Sequence, residues 1–377
     1  MEGLRPEKRF KREGPTRSEK AKVGVGLRVW IDALTPKQLI FFDAVSRKLT
    51  SYGHEVFATT RRYHDVGYVV ERLGLNVEVL GSHGGRGLRR KLEASLERAA
   101  LLTSVVVAEK VDVALSFSSP EAARVAFGLG IPHYAVNDSP HATAVARLTV
   151  PLCKMLFTPS VIPTSSWMKY GIEKERVKTY NALDPAAWLK HPERWPPQNE
   201  VEEEAKGAIV VRLEESQASY LLKEDTEATG TIVKMAEAIP ERKFILLARY
   251  EEQEVAYGRI RLSNVRVCHS PFFGANMLKQ AALFVGRGGT MTAEAALLGV
   301  PTICNYPGPR TYVQRFLERH GLAAHAETEE ELVRLVKKML KDETQKGRLR
   351  EKAERTLREM EDPSDVIAKT LAEDAGS

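Results

Sequence analysis

The sequence predicts an α/β protein made of two doubly wound parallel sheets that face each other across a central cleft. Short apolar runs alternate with longer amphipathic ones over residues 27–170 and again over 208–304, the pattern of successive βαβ units. Between the two series lies a stretch with Pro192, Pro196 and Pro197 followed by the acids of 200–204, which reads as a linker. A chain of 377 residues with 43% hydrophobic content also suits two domains, each with its own core.

Taken in order, residues 27–31 form a strand that ends at Asp32, and 33-ALTPKQ-38 leads into a helix to about residue 49. Gly53 and His54 turn the chain into strand 56–59, followed by Arg61 and Arg62. Helix 65–73, strand 77–80, the glycine loop 81-GSHGGRG-87 and a long helix 88–110 come next. Strand 113–117, helix 120–129 and strand 133–136 lead to 137-NDSPH-141. A helix from about 142 leads to residues 155–158 and 159-PSVIP-163, and residues 167–170 close the first half. The second half reads as strand 208–211, helix 226–238, strands 244–248 and 265–268, then strand 283–285, helix 290–298 and strand 302–304. Helices 329–340 and 344–360 finish the chain. The division is a disordered basic tail over 1–26, domains over 27–189 and 207–343 joined by 190–206, and a terminal helical segment over 344–377.

Charge and cysteine content narrow the function. The tail carries eight cations against four acids, so it holds +4 of the net +6 and leaves the folded body nearly neutral. With one aromatic, Phe10, the tail is a solubilising extension rather than a specific nucleic-acid arm. Cys153, Cys268 and Cys304 are far apart in apolar segments, which excludes a disulfide framework or zinc ribbon and suits a reducing compartment. No apolar run is long enough to span a bilayer, and no signal core opens the chain. The expected location is the cytoplasm, with a peripheral membrane position as the variant.

The stretch 281-AALFVGRGGTMTAEAALLGVPTIC-304 carries the clearest chemistry. Gly286, Gly288 and Gly289 permit a sharp turn and close approach of a ligand to the backbone. The helix beginning at Thr290 offers unpaired N–H groups and a positive dipole end, suited to phosphate. Glu294, one turn further, is placed to reach a sugar hydroxyl. Arg212, Arg249 and Arg287 each end a strand, and arginine forks match phosphate oxygens; salt bridges to Glu214, Glu215 or Glu251 are their ordinary alternative.

In the first half the strand ends present Asp32, Thr35, Lys37, Gln38, Arg61, Arg62, Ser118, Ser119, Asn137, Asp138 and His141. Asp138 and His141 form a pair able to deprotonate a hydroxyl. A turn or helix-cap role is the more ordinary one for an Asp before Ser-Pro. Gly84 to Gly87 and 24-GVG-26 fail the dinucleotide fingerprint. The nine histidines lack ligand spacing, so neither metal nor cofactor is expected.

The segment GRGGTMTAEAALLGVP resembles the donor-sugar signature of GT-B glycosyltransferases, above all MurG-type lipid II glycosyltransferases and the related non-hydrolysing UDP-N-acetylglucosamine 2-epimerases. From about Leu27 onward the chain is still more similar to a largely archaeal domain-of-unknown-function family, three-five-four, through 29-VWIDALTPKQLIFF-42, 130-GIPHYAVNDSPH-141 and 180-YNALDPAAWL-189. The resemblance implies a GT-B-like fold of two Rossmann-like domains. The C-terminal one would bind a nucleotide-diphosphate sugar and the N-terminal one an acceptor, in the latter case a glycan or lipid-linked precursor. It further implies Glu294 on the ribose, Gly288 to Thr290 on the diphosphate, metal-independent catalysis, and a last helix that crosses back. Arg212, Arg249 and Arg287 join the donor side; Asp32, Thr35, Lys37, Gln38 and Asn137 form the acceptor-side loops.

The chain also departs from these relatives. The turn after the first strand of the second half, 212-RLEESQASY-220, has no glycine; Gln38 stands where MurG-type enzymes have histidine; Ser119 and Asn137 stand where the epimerases have acids. The leading expectation is therefore a glycosyltransferase. A nucleotide-sugar epimerase or hydrolase, and a binding protein of the same fold without catalysis, are the alternatives.

Overall fold

The computed structural model describes residues 26–375 apart from 64, 86, 214–224 and 249–250. The N-terminal tail, Arg249 and the acids Glu214 and Glu215 lie outside the described residues. The first sheet contains β1 (Arg28–Asp32), β2 (Glu55–Arg62), β3 (Glu78–Ser82), β4 (Val113–Ser116), β5 (His133–Val136), β6 (Met155–Pro159) and β7 (Val177–Tyr180). The second contains β8 (Ile209–Arg212), β9 (Phe244–Leu247), β10 (Val265–Cys268), β11 (Leu283–Gly286), β12 (Thr302–Cys304) and β13 (Ala324–His325). Their orders are β3-β2-β1-β4-β5-β6-β7 and β10-β9-β8-β11-β12-β13, parallel throughout.

Each order reverses beside the first strand of its sheet, and ligands of such sheets bind at the strand carboxyl ends at this switch point. In the first sheet Asp32 pairs in register with Thr59 and Ser116. In the second, Gly286 lies level with Arg212 and Cys304. The predicted glycine turn thus leaves the sheet at its switch point.

The strand interiors are buried because both faces of each sheet are covered by helices. Val29, Trp30 and Ile31 of β1 and Leu283, Phe284 and Val285 of β11 are almost fully enclosed. The helix Pro36–Ser51 presents Leu39, Phe42, Val45 and Leu49 to the first core, and Phe41 meets Phe117 edge-on at 5.5 Å. Thr35 caps that helix and Pro36 opens it, a position that needs no proline N–H. This core continues through Trp188 to Phe273, Ala293, Ala296 and Leu297 beside the second sheet.

Strands β7 and β13 are absent from the sequence expectation. In β7, Lys178 and Thr179 are exposed between buried Val177 and Tyr180, which breaks the two-residue alternation, and β13 has only two residues. The acid-rich 200–204 is more than a tether. Asn199 and Glu202 form a capping box on helix Glu200–Glu203, and buried Glu202 accepts from Phe273 N at 2.7 Å and Asn276 Nδ2 at 3.0 Å.

Two helices, Glu343–Glu359 and Pro363–Ala375, end the described chain. Asp362 separates them and accepts from Ser364 N. The last packs on helix Pro36–Ser51, where Asp365 meets Lys48 at 2.7 Å, while Asp374 meets Lys154 at 2.7 Å and accepts from Tyr134. Among the described residues no helix is long and apolar enough to cross a membrane.

Candidate functional site

Three loops at the carboxyl end of the first sheet converge on one ammonium. Lys37, on the first turn of helix Pro36–Ser51, sets its Nζ 2.6 Å from Asp138 Oδ2 after β5 and 2.7 Å from Asp184 Oδ2 after β7. The same Nζ lies 4.3 Å from the Phe117 ring centre. Ser139 Oγ donates to Asp138 Oδ1 at 2.8 Å, and Tyr180 OH donates to Asp184 Oδ1 at 2.6 Å.

Two carboxyls that share one cation in a buried setting do not titrate alike. Burial raises Asp138, but the Lys37 charge and hydrogen bond outweigh it and hold the group below the usual carboxylate range. Burial and the Asp138 charge together leave Asp184 above that range despite Lys37. Lys37 is opposed by burial but held protonated by both acids. Nearby His141 is exposed at the cleft; partial burial lowers its pKa against the pull of Asp138, so it is neutral at pH 7.

Opposite lies the turn after β11. Gly288 and Gly289 have φ of +89° and +79°, values that L side chains rarely adopt, and a Cβ on Gly288 would fall 2.4 Å from Gln314 Nε2. Gly289 precedes helix Thr290–Leu297, which no side chain caps. Arg212 donates to Met291 Sδ at 2.7 Å. Glu294 is buried within this helix and accepts from Trp188 Nε1 at 2.8 Å. Burial pushes its carboxyl up to about 7, against the Trp188 N–H, Arg212 and Lys37.

One cavity of about 660 Å³ joins the two groups. Thr35, Lys37, Asp138, His141 and Asp184 line it on one side. Arg212, Arg287, Gly288, Gly289, Thr290 and Glu294 line it on the other. Ser166 and Tyr312 also line it, and Ser166 Oγ donates to Tyr312 OH at 3.1 Å.

Three of the expected acceptor-side residues do not line this cavity. Asp32 is fully buried, and its two oxygens take Arg98 Nη1 at 3.0 Å and Nη2 at 2.5 Å, with Thr59 Oγ1 at 2.7 Å. Arg98 lies 66 residues away in helix Leu88–Glu109, beyond any local pattern. Gln38 turns back to accept from Leu34 N at 2.6 Å. Asn137 accepts from Ser139 N and donates to Ser118 Oγ, both at 2.8 Å, so it braces the turn that presents Asp138.

Asp184, Tyr180 and Trp188 were not singled out as site residues from the sequence. Their one signal was an Asp-Pro step and a Trp within the apolar segment 180-YNALDPAAWL-189, and a turn explains those features equally well.

A structure of UDP-GlcNAc 2-epimerase from Methanocaldococcus jannaschii, in complex with UDP-GlcNAc and UDP, matches with a TM-score of 0.70 at 16% identity over 92% of this chain and 100% of that one. The spinosyn forosaminyltransferase SpnP matches with a TM-score of 0.60 at 15% identity over 93% of this chain and 100% of that one. The chain thus has the GT-B-like fold that nucleotide-sugar glycosyltransferases and UDP-GlcNAc 2-epimerases share. An uncharacterised protein of Methanocaldococcus jannaschii is 27% identical over 320 residues, 83% of this chain and 91% of that protein. The family described as proteins of unknown function, DUF354, matches residues 27–375, and the chain belongs to that family.

Proposed function

We propose that the protein is a glycosyltransferase that binds a nucleoside-diphosphate sugar in the cleft and moves its sugar to an acceptor hydroxyl. One observation carries this reading: a phosphate-suited turn with two arginines faces a lysine, two carboxyls and a neutral imidazole across a single cavity. In it the diphosphate lies at Gly288, Gly289 and Thr290 with Arg212 and Arg287, and the ribose lies at Glu294. The acceptor sits by Lys37 and Thr35.

The acceptor O–H gives its proton to His141 as its oxygen bonds to the sugar's anomeric carbon. The bond from that carbon to the diphosphate breaks, and its electron pair leaves on the diphosphate, where the arginines and helix start stabilise the charge. Asp138, held ionised by Lys37, is a weak base and favours the imidazolium that forms on His141.

2-Epimerisation is the second reading, since the fold is shared with UDP-GlcNAc 2-epimerases and the site holds a pair of carboxyls of unlike pKa. That chemistry needs a base for the proton beside the anomeric carbon and an acid for the departing diphosphate. Asp184, the carboxyl that burial and the Asp138 charge raise, is then the one more readily protonated to act as the acid, since Ser119 and Asn137 supply no carboxyl.

Incubation with UDP-GlcNAc in deuterated water separates the two. Deuterium at C2 without acceptor establishes epimerisation, whereas UDP release that requires an added hydroxyl acceptor establishes transfer. Saturable UDP binding with neither outcome across a broad sugar and acceptor panel overturns both and leaves a binding protein.

A further inference from the structure

We propose that Trp188 is a positioning residue of the donor site: from the half opposite, its indole N–H holds Glu294 in the orientation that accepts the ribose hydroxyls. The proposal rests on the nucleotide-sugar reading above and extends it to a residue outside the half that carries the phosphate turn.

The geometry is specific. Trp188 belongs to the short helix Ala186–Leu189, which packs on helix Pro36–Ser51 of the first half. Its carbonyl accepts from Trp195 Nε1 at 2.9 Å, and the residue is 4% exposed, so the ring has little freedom. Its Nε1 donates to Glu294 Oε1 at 2.8 Å over a sequence separation of 106. Glu294 is also 4% exposed, with Trp188 as its hydrogen-bond donor among the described residues. Oε2 has no hydrogen-bond partner there and lies beside Gly274, where a Cβ would sit 3.2 Å away. One oxygen is therefore fixed and the other faces space that a missing side chain keeps open.

The surroundings make this contact decisive for the charge. Apolar neighbours and burial disfavour the carboxylate and push it to about 7. Three groups oppose burial: the Trp188 N–H, then Arg212 from β8, then Lys37 from helix Pro36–Ser51. Helix Gly274–Gln280 meets the carboxyl with Gly274 and brings no charge to that contact. A ribose diol donates two hydrogens, so it needs the ionised acid. The folded pKa is raised, so the competent form is lost as pH falls through about 7.

Calorimetric titration of the full-length protein with UDP from pH 5.5 to 9 tests this. Affinity of the wild type is expected to fall about tenfold per pH unit below the midpoint. Trp188→Phe removes the N–H and keeps an aromatic ring. It is expected to weaken UDP several-fold at pH 9 through the lost orientation and also to move the midpoint up by about one pH unit, in keeping with a hydrogen bond to a charged group. A midpoint that stays put, or a loss equal at every pH, overturns the proposal.

If Trp188→Phe does not fold, the indole N–H resonances of the wild type decide instead. One of the four is expected to titrate near pH 7 and to stop titrating in Glu294→Gln, and no titrating indole overturns the proposal. Failure of wild-type UDP binding at every pH removes the nucleotide reading itself; UDP binding with an unshifted midpoint removes only the role of Trp188.

Discussion

Arg98→Met isolates a buried ion pair that the proposed chemistry does not use. Arg98 is fully enclosed, forks onto both Asp32 oxygens and donates Nε to Leu80 O at 3.1 Å; Glu121 lies 4.0 Å away. Met fills a similar volume but strands a carboxylate with no access to water, and breaking such a pair costs about 3–5 kcal/mol. Thr59 still donates to Asp32 and Arg61 still contributes an attractive charge, so the lower end, about 3 kcal/mol at pH 7.5, is expected.

The pH dependence changes sign. In the wild type burial raises Asp32, but Arg98 overcomes it and the pKa is lowered. Its contribution is therefore complete above the ordinary carboxylate range, flat from pH 5 to 7.5, and lost only as pH falls below that range. In Arg98→Met burial dominates and the folded pKa rises above the unfolded one. Stability is then greatest in acid and falls by up to about 1.4 kcal/mol per pH unit as pH rises through that window. Urea unfolding at pH 5.0 and 7.5, followed by tryptophan fluorescence, reads this out, since Trp30 donates to Thr59 at 2.9 Å beside the pair. A loss below about 1 kcal/mol at pH 7.5, or a loss equal at both pH values, refutes the reasoning.

Lys37→Met leaves Asp138 and Asp184 as uncompensated neighbours. Both acids then rise above their unfolded pKa, so thermal melts should show a larger loss at pH 8 than at pH 5, and any turnover should drop at least about 100-fold. Gly288→Ala combines a φ of +89° with a Cβ 2.4 Å from the Gln314 amide, which puts the strain at about 1–2 kcal/mol; UDP affinity by calorimetry should fall by about tenfold or more. Gly299→Ala has φ +71° and a Cβ 2.7 Å from backbone Arg350 Cα; chemical denaturation should show a loss of about 2–3 kcal/mol with helix Glu343–Glu359 loosened, and an unchanged midpoint contradicts the packing.

The sheets were legible because their signal is local. Short apolar strands between amphipathic helices are written into consecutive residues, as in 133-HYAV-136 and 283-LFV-285; the structure has strands at both, the second running one residue further to Gly286. The glycine turn was legible for the same reason, since positive φ at Gly288 and Gly289 restricts residue type. Partners chosen at long range were not legible. A strand-end Asp reads the same whether it faces a ligand or an arginine 66 residues on, as Asp32 does. Asp138 showed as a candidate, but its two-carboxyl sharing of Lys37 with Asp184 depends on the order of β1, β5 and β7 in the sheet. Glu202 is the converse case: a charged run implies solvation, and a capping box with a buried donor set overrides it.

The chain passes between the sheets once after Leu189 and returns before Pro363, and the two passages are tied side by side. Lys190 donates to the carbonyls of Leu357, Arg358 and Met360, and His191 Nε2 meets Asp362 at 2.7 Å. A single cord between two bodies permits swivel about any direction, whereas two bonded cords leave one free axis, like the pin of a door. Ser166–Tyr312 and Trp188–Glu294 are the hydrogen bonds that a rocking about such an axis would load. If UDP binds in this cleft as proposed, a cross-link at either passage is expected to slow its exchange in stopped-flow binding without touching a residue that lines the cavity.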